Sequence, residues 1–432
     1  MITKTYKCAV FALFTLIFTA CKKDQVSAVM YETQSTITVE NVLDSRPLVE
    51  SGTFKGSGTL PVILPGQSIN IQFSAAKGQA ISFATMYGWS NDLFFAPANP
   101  GILVYDADGK PLEGDVSSQV KLWDNGTRVN QVPGANVNHP GVQDTKVITE
   151  IRGIDAQGNS YLAASSLVKT ILKYNGNSIF TLTLQNISGG TANETPLSPG
   201  VWAISYIAGG QLLNPAPLYS AGQSTANGLT SLAETGNTLP LKDYLTSITG
   251  IFTPLSPVLV VIYNGVENPV YKLGEPDRGQ GLEALAQKGN AESLATYLKG
   301  KPGIKAVYVL KAPSTTVLLP AIENQSGGKV SQDITVSPGD RLAIATMYGF
   351  SNDWFFATLE KGIDANFKGD VSSSIKLFDD GTAVNEFPGA GISQFNLTGK
   401  PSKESLPIAL VPNPNAFTTL PDVSKFIKVV LR

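Results

Sequence analysis

Ala84-Thr-Met-Tyr-Gly-Trp-Ser-Asn-Asp-Leu-Phe-Phe-Ala96 returns 261 residues later as Ala345-Thr-Met-Tyr-Gly-Phe-Ser-Asn-Asp-Trp-Phe-Phe-Ala357. Of the thirteen aligned positions, only Trp89/Phe350 and Leu93/Trp354 differ. A second block, GDVSSQVKLWDNGTRVNQVPGA from Gly114 to Ala135, is echoed by GDVSSSIKLFDDGTAVNEFPGA from Gly369 to Ala390. The offset there is 255, so the first copy carries six more residues between the blocks (261 less 255). Length changes belong in surface loops, and two copies of one folded unit follow.

Flanking segments extend the match. A Pro-Gly turn precedes alternating residues at Pro65-Gly-Gln-Ser-Ile-Asn-Ile-Gln-Phe73 and at Pro338-Gly-Asp-Arg-Leu342. Period-two alternation argues half-buried strands. Each copy closes on such a strand, at 167–172 and 426–431, and opens on one, at 37–41 and 180–186. The turn signal Asn175-Gly176 between two strands then sets the boundary, with modules at 35–175 and 176–432 behind a 22–34 linker. The second module holds extra material, about 196–301, that is itself repeated: Pro196-Leu-Ser-Pro199 returns at Pro254-Leu-Ser-Pro257, and 228–237 returns at 281–290. Leu282, Leu285, Leu294 and Leu298 recur at helical spacing with Gly289 as a breaker. The expectation is an all-β chain with a small helical insertion on the second module.

Charged residues make up only 15% of the 432 residues, with 41 Gly and 27 Pro. That suits short strands and tight turns rather than solvated helices. A net charge of −2 gives no basic footprint for nucleic acid or anionic lipid. Residues 1–21 run from Lys4 and Lys7 through an apolar stretch to Thr19-Ala20-Cys21, the order of a secretory signal. Cys21 resembles the cysteine of a bacterial lipobox, with Phe18 where leucine is usual. The expectation is lipidation at Cys21, export to the bacterial outer membrane or cell surface, and a mature chain anchored by that lipid. With Cys8 removed, no thiol pair remains for a disulfide.

At the two blocks the chain resembles the spondin N-terminal domain family. The shared tokens are Ser-Asn-Asp-(Leu/Trp)-Phe-Phe and Leu-(Trp/Phe)-Asp-x-Gly-Thr-x-Val-Asn…Pro-Gly, and residues 254–286 resemble a segment of its bacterial members. The resemblance spans most of 35–432. It implies two tandem antiparallel β-sandwiches similar to C2 domains, roles in adhesion and recognition, and a calcium site at one end of each. Carried over by position, the ligating aspartates are Asp92 and Asp124 in the first copy and Asp353 and Asp379 in the second. The family's third acidic ligand falls at Arg128 and Ala383, so neither copy keeps it.

Read without the family, those aspartates suit calcium, which takes six to eight oxygens. Asn91, Asn352, Asp380, Asn385 and Glu386 stand near in sequence as further donors. Asp-Asn-Gly-Thr and Asp-Asp-Gly-Thr are also turn sequences in their own right. Asp115 and Asp370 read as turn caps. The aromatics around 89–95 and 350–356 read as core, although adjacent Phe-Phe pairs must point to opposite faces of a strand. His139 is the only histidine and has no counterpart in the second copy, and no nucleophile elbow, zinc signature or phosphate loop occurs. The chain therefore reads as a binding or adhesion protein for an extracellular protein or polysaccharide, not an enzyme. The alternatives are an architectural envelope protein or a carbohydrate-active enzyme using a carboxylate pair.

Overall fold

The computed structural model describes residues 31–322 and 325–432, with Met1 and Thr3. The signal reading and the lipidation site Cys21 lie outside the described residues, as does most of the 22–34 linker. Among the described residues no helix is long and apolar enough to cross a membrane.

The fold is all-β with four short helices among the described residues, and every pairing between named strands is antiparallel. The first module is built on two sheets. One orders Ser68–Ser74, Ile179–Asn186, Val168–Gly176 and Gly114–Asp115. The other runs Leu48–Phe54, Leu197–Ser205, Ala80–Tyr87, Leu93–Pro97, Val120–Asp124 and Thr149–Ile151. The second module repeats both sheets strand for strand. Its first sheet orders Lys329–Val336, Thr33–Asn41, Ile427–Leu431 and Gly369–Asp370. Its second orders Ile304–Leu310, Val258–Tyr263, Arg341–Met347, Trp354–Thr358, Ile375–Asp379 and Ala409–Leu410.

This pairing corrects the boundary expected at residue 175. The chain's opening strand, Thr33–Asn41, lies in the second module, between Lys329–Val336 and Ile427–Leu431. The strand just past the expected boundary, Ile179–Asn186, completes the first module by pairing with Ser68–Ser74 and Val168–Gly176. The turn at Asn175-Gly176 is thus a hairpin inside the first module. Relative to that expected boundary, the two opening strands have changed places. In both, an asparagine at the strand end buries its amide: Asn41 donates to Thr253 O and Leu318 O, and Asn186 to Ile63 O and Thr195 O.

The helical material is also shared out, not confined to the second module. Helices α1 (Leu229–Thr235) and α2 (Leu239–Ile248) pack on the first module. Helices α3 (Leu282–Lys288) and α4 (Ala291–Leu298) pack on the second. Leu282, Leu285, Leu294 and Leu298 are all buried, as their spacing implies. Gly281 adopts φ 111°, and a Cβ there would stand 2.6 Å from Leu294 N, so only glycine lets the two helices approach so closely. Gly228 meets the same constraint against Leu241 N, also at 2.6 Å.

The helix pairs explain the Phe-Phe pairs. Strand Ala80–Tyr87 is buried at every position because both faces of its sheet are covered. Phe94 packs with Trp123, Tyr219, Leu229 and Leu232 on the helix side, while Phe95 faces the core between the sheets. Phe355 and Phe356 divide in the same way. Burying one such side chain stabilises by about 1.5–3 kcal/mol. A single apolar core runs through both modules, and Tyr206 of the first stacks on Phe350 of the second at 6.1 Å.

Strands Ile179–Asn186 and Leu197–Ser205 each pair on both sides in the first module. A fragment of residues 35–175 lacks both and is expected to show no cooperative melt by circular dichroism. A fragment of residues 46–250 holds every strand of that module and is expected to melt cooperatively by itself.

Candidate functional site

In each module the register of two neighbouring strands brings the aspartates together. Leu93 pairs with Asp124, and Trp354 with Asp379, so the residue before each strand, Asp92 or Asp353, lies beside its partner carboxylate. The Asp-x-Gly-Thr loop then folds back over them. Asp92 Oδ2 accepts from Thr127 N at 2.8 Å, Arg128 N at 2.9 Å and Thr127 Oγ1 at 3.1 Å. Asp353 Oδ2 accepts from Thr382 N at 2.7 Å, Ala383 N at 2.9 Å and Thr382 Oγ1 at 3.1 Å. Asp124 Oδ1 accepts from Gly126 N and Asp379 Oδ1 from Gly381 N, each at 2.8 Å. These are the side-chain turns expected of Asp-x-Gly.

Their other oxygens differ. Asp124 Oδ2 accepts from Asn130 Nδ2 at 2.7 Å, and Asp379 Oδ2 from Asn385 Nδ2 at 2.6 Å. Asp92 Oδ1 and Asp353 Oδ1 are buried and find no hydrogen-bond partner among the described residues; nor do Asn130 Oδ1 and Asp380 Oδ1. A buried carboxylate oxygen left bare costs free energy unless something neutralises it. Burial pushes the Asp92 carboxyl up to about 6, with the Asp124 charge adding to it. Burial raises Asp353 too, helped by Asp379. Burial, then the charges of Asp277 and Asp353, push Asp380 up to about 8. Its counterpart in the first module is the neutral Asn125.

The donor set fits a hard cation. A calcium ion here would be held by Asp92 and Asp124, or by Asp353 and Asp379, with the amide oxygens of Asn130 or Asn385 and loop carbonyls making up the number. Among the described residues no group of three or more His, Cys, Asp or Glu side chains stands ready to hold a metal, so neutral oxygens would carry the rest. Asn385 stands among the further donors read from the sequence near the second site, but its counterpart Asn130 does not. The signal for Asn130 was available, because an asparagine lies six residues after the second aspartate in both copies.

Arg128 stands beside the first site, where its charge and that of Asp92 attract. Its guanidinium donates to Glu234 on α1 at 2.8 Å. In the second module Ala383 replaces Arg128 and Gln287 replaces Glu234, and Gln287 Nε2 donates to Thr382 Oγ1 at 3.0 Å. Glu386 also turns away from the second site and bonds across to the first module through Ser178. Asp115 and Asp370 are turn caps, each accepting from a serine two residues on (Ser117 or Ser372). His139 lines an open cleft of ≈ 440 Å³ in the first module with Pro61, Trp89, Pro196, Pro199 and Glu234. An equivalent cleft of ≈ 390 Å³ in the second is lined by Pro254, Pro257 and Met347. No family model matches the chain, and no curated protein matches it.

Asp92, Asp353 and Asp380 hold their protons more tightly folded than unfolded. Stability from these groups is full below about pH 4 and is lost as pH rises through the folded values, near 6 for Asp92 and 8 for Asp380. With chelator present, urea unfolding should therefore show stability rising as pH falls from 8 to 5 by on the order of 3 kcal/mol. Asp380→Asn, which installs the first module's residue, should flatten that rise.

Proposed function

We propose that this chain is an exported, lipid-anchored envelope protein of the spondin-like kind. In this reading it binds an extracellular or envelope partner, protein or polysaccharide, through loops at the aspartate end of its sandwiches, and calcium orders those loops. One observation carries the reading. In both modules the same pair of aspartates clamps the Asp-x-Gly-Thr loop and leaves one fully buried carboxylate oxygen, on Asp92 or Asp353, without a partner among the described residues. A turn alone needs no such oxygen, whereas a bound cation gives it a use. The lost third acid is offset by Asn130 and Asn385, whose amides already bond to Asp124 and Asp379.

The resemblance to spondin domains supplies the class of work, adhesion or recognition, and the lipobox-like Cys21 supplies the anchor. A second reading, that the chain spaces other envelope parts, is favoured by one feature. The aspartate-end loop of the second module is spent on docking to the first, through Glu386 and Ser178, so only one end of the pair is left free for a ligand.

Calcium that binds only the folded state stabilises it by about 2.7 kcal/mol at a hundred times its dissociation constant. The mature chain should melt higher in millimolar calcium than in chelator. Asp124→Asn and Asp379→Asn should each remove part of the rise and together remove it. A melting temperature indifferent to calcium would leave the loops as plain turns.

A further inference from the structure

The loop after Asp-x-Gly-Thr starts alike in both modules, through the Pro-Gly-Ala turn at 133–135 and 388–390, beyond which the second loop is five residues longer. Gly134 N donates to Trp89 O, as Gly389 N donates to Phe350 O, both at 3.0 Å. Gln131 N donates to Asn91 Oδ1 at 3.2 Å, as Glu386 N donates to Asn352 Oδ1 at 3.1 Å. What covers the two loops differs.

In the second module the loop is seated on the far end of the first. Gln79 Nε2 donates to Gly389 O at 2.9 Å, Ser178 Oγ donates to Glu386 Oε1 at 2.8 Å, and Ile392 N donates to Ser178 Oγ at 2.8 Å. The ring of Tyr206 lies so close that a Cβ on Gly389 would stand 2.1 Å from it. In the first module the corresponding turn has no such cover. A Cβ on Gly134 would find no atom of the described residues within 4 Å. Val132 is 75% exposed and Val142 67%, whereas Phe387, the counterpart of Val132, is 8% exposed. The turn is folded alike but bare, an interface half without its other half.

The second module's far end does not supply that half. By strand register, Asn264, Asn366, Asp340 and Thr33 stand where the first module has Tyr206, Tyr105, Gln79 and Ser178. Asn264 is exposed, and Asp340 is turned to Lys305 at 2.6 Å. Both tyrosines and the free amide are gone, so a second copy of the chain offers no seat and head-to-tail polymers are not expected.

We propose that the 131–142 loop of the first module, with Trp89, is a docking surface for a protein partner. That partner presents a tyrosine ring over Gly134, flanked by a side-chain amide for the Gly134 carbonyl and a hydroxyl for Gln131. The internal interface is the template for this chemistry. The proposal deepens the binding reading by naming the partner's chemistry, and it does not depend on calcium, so either can fail alone.

The chain itself can be made to carry the probe. Asn264→Tyr, Asn366→Tyr and Asp340→Gln together rebuild the seat on the second module's far end. By sedimentation velocity over a concentration series with chelator present, the unaltered chain should stay monomeric. The triple variant should form concentration-dependent head-to-tail species, and adding Val132→Asp should return it to monomer. The single Asn264→Tyr, at an exposed position, should give the same association more weakly and guards against a triple variant that fails to fold. The proposal is overturned if folded variants stay monomeric throughout, if Val132→Asp leaves their association unchanged, or if the unaltered chain already self-associates.

Discussion

The placing of the strand Thr33–Asn41 in the second module is the constraint on which the rest of the structure depends. Thr33–Asn41 sits between two strands of the second module, and Ile179–Asn186 between two strands of the first. The second sandwich is incomplete without Thr33–Asn41, which precedes the whole first module in sequence. The first is continuous in the chain, with Ile179–Asn186 following Val168–Gly176 across a hairpin. Removing either Thr33–Asn41 or Ile179–Asn186 would leave two strand edges unpaired inside a core, where bare backbone groups are costly. The modules are therefore tied through the chain as well as through contact. The core that runs between them and the stack of Tyr206 on Phe350 follow from that tie.

The second sheet of each module faces a related demand. Its central strands are buried on both faces, so they need two covers. The opposite sheet supplies one and a short helix pair the other, which is why the helical segment occurs once per module. Helices of seven to ten residues are marginal in water, and their burial on the sheet is what holds them. With the cores closed in this way, the Asp-x-Gly-Thr loops are pinned at one end by strand register, and Asp92 and Asp353 are carried into a dry environment. Their raised proton affinity is a consequence of that placement.

Two loops that start alike, through the same Pro-Gly-Ala turn, have been put to different uses. In the second module Glu386, Gly389 and Ile392 are committed to the first module. In the first, the corresponding loop presents Val132 and Val142 to solvent. Substitutions follow the same division. Tyr206, Gln79 and Ser178 form a seat where one is filled, with Tyr105 behind it donating to Ser178 Oγ at 3.3 Å. The counterparts Asn264, Asp340 and Asn366 are polar where no loop arrives. Arg128 with Glu234, against Ala383 with Gln287, is a further paired change beside the aspartates.

By itself the sequence determined what depends on local pattern. Alternation, turn residues and the repeated blocks were enough for an all-β chain in two copies. Leucine spacing with Gly289 was enough for the short helices. The Phe-Phe pairs said only that their rings point to opposite faces of a strand, and the helices that cover the second face came from the tertiary structure. The four aspartates could be singled out because they recur at matched positions. Tertiary structure decided which strand completes which sheet, because a period-two pattern says that a strand is half-buried but not against which neighbour. For that reason the boundary at 175 fell inside a hairpin, and both copies of the helical segment were assigned to the second module. It also decided that Arg128 turns to Glu234, that Glu386 reaches across to Ser178, and that one carboxylate oxygen in each pair is left bare. Each of these depends on groups far apart in the chain meeting in a dry interior, where the cost of an unpaired charge selects the arrangement.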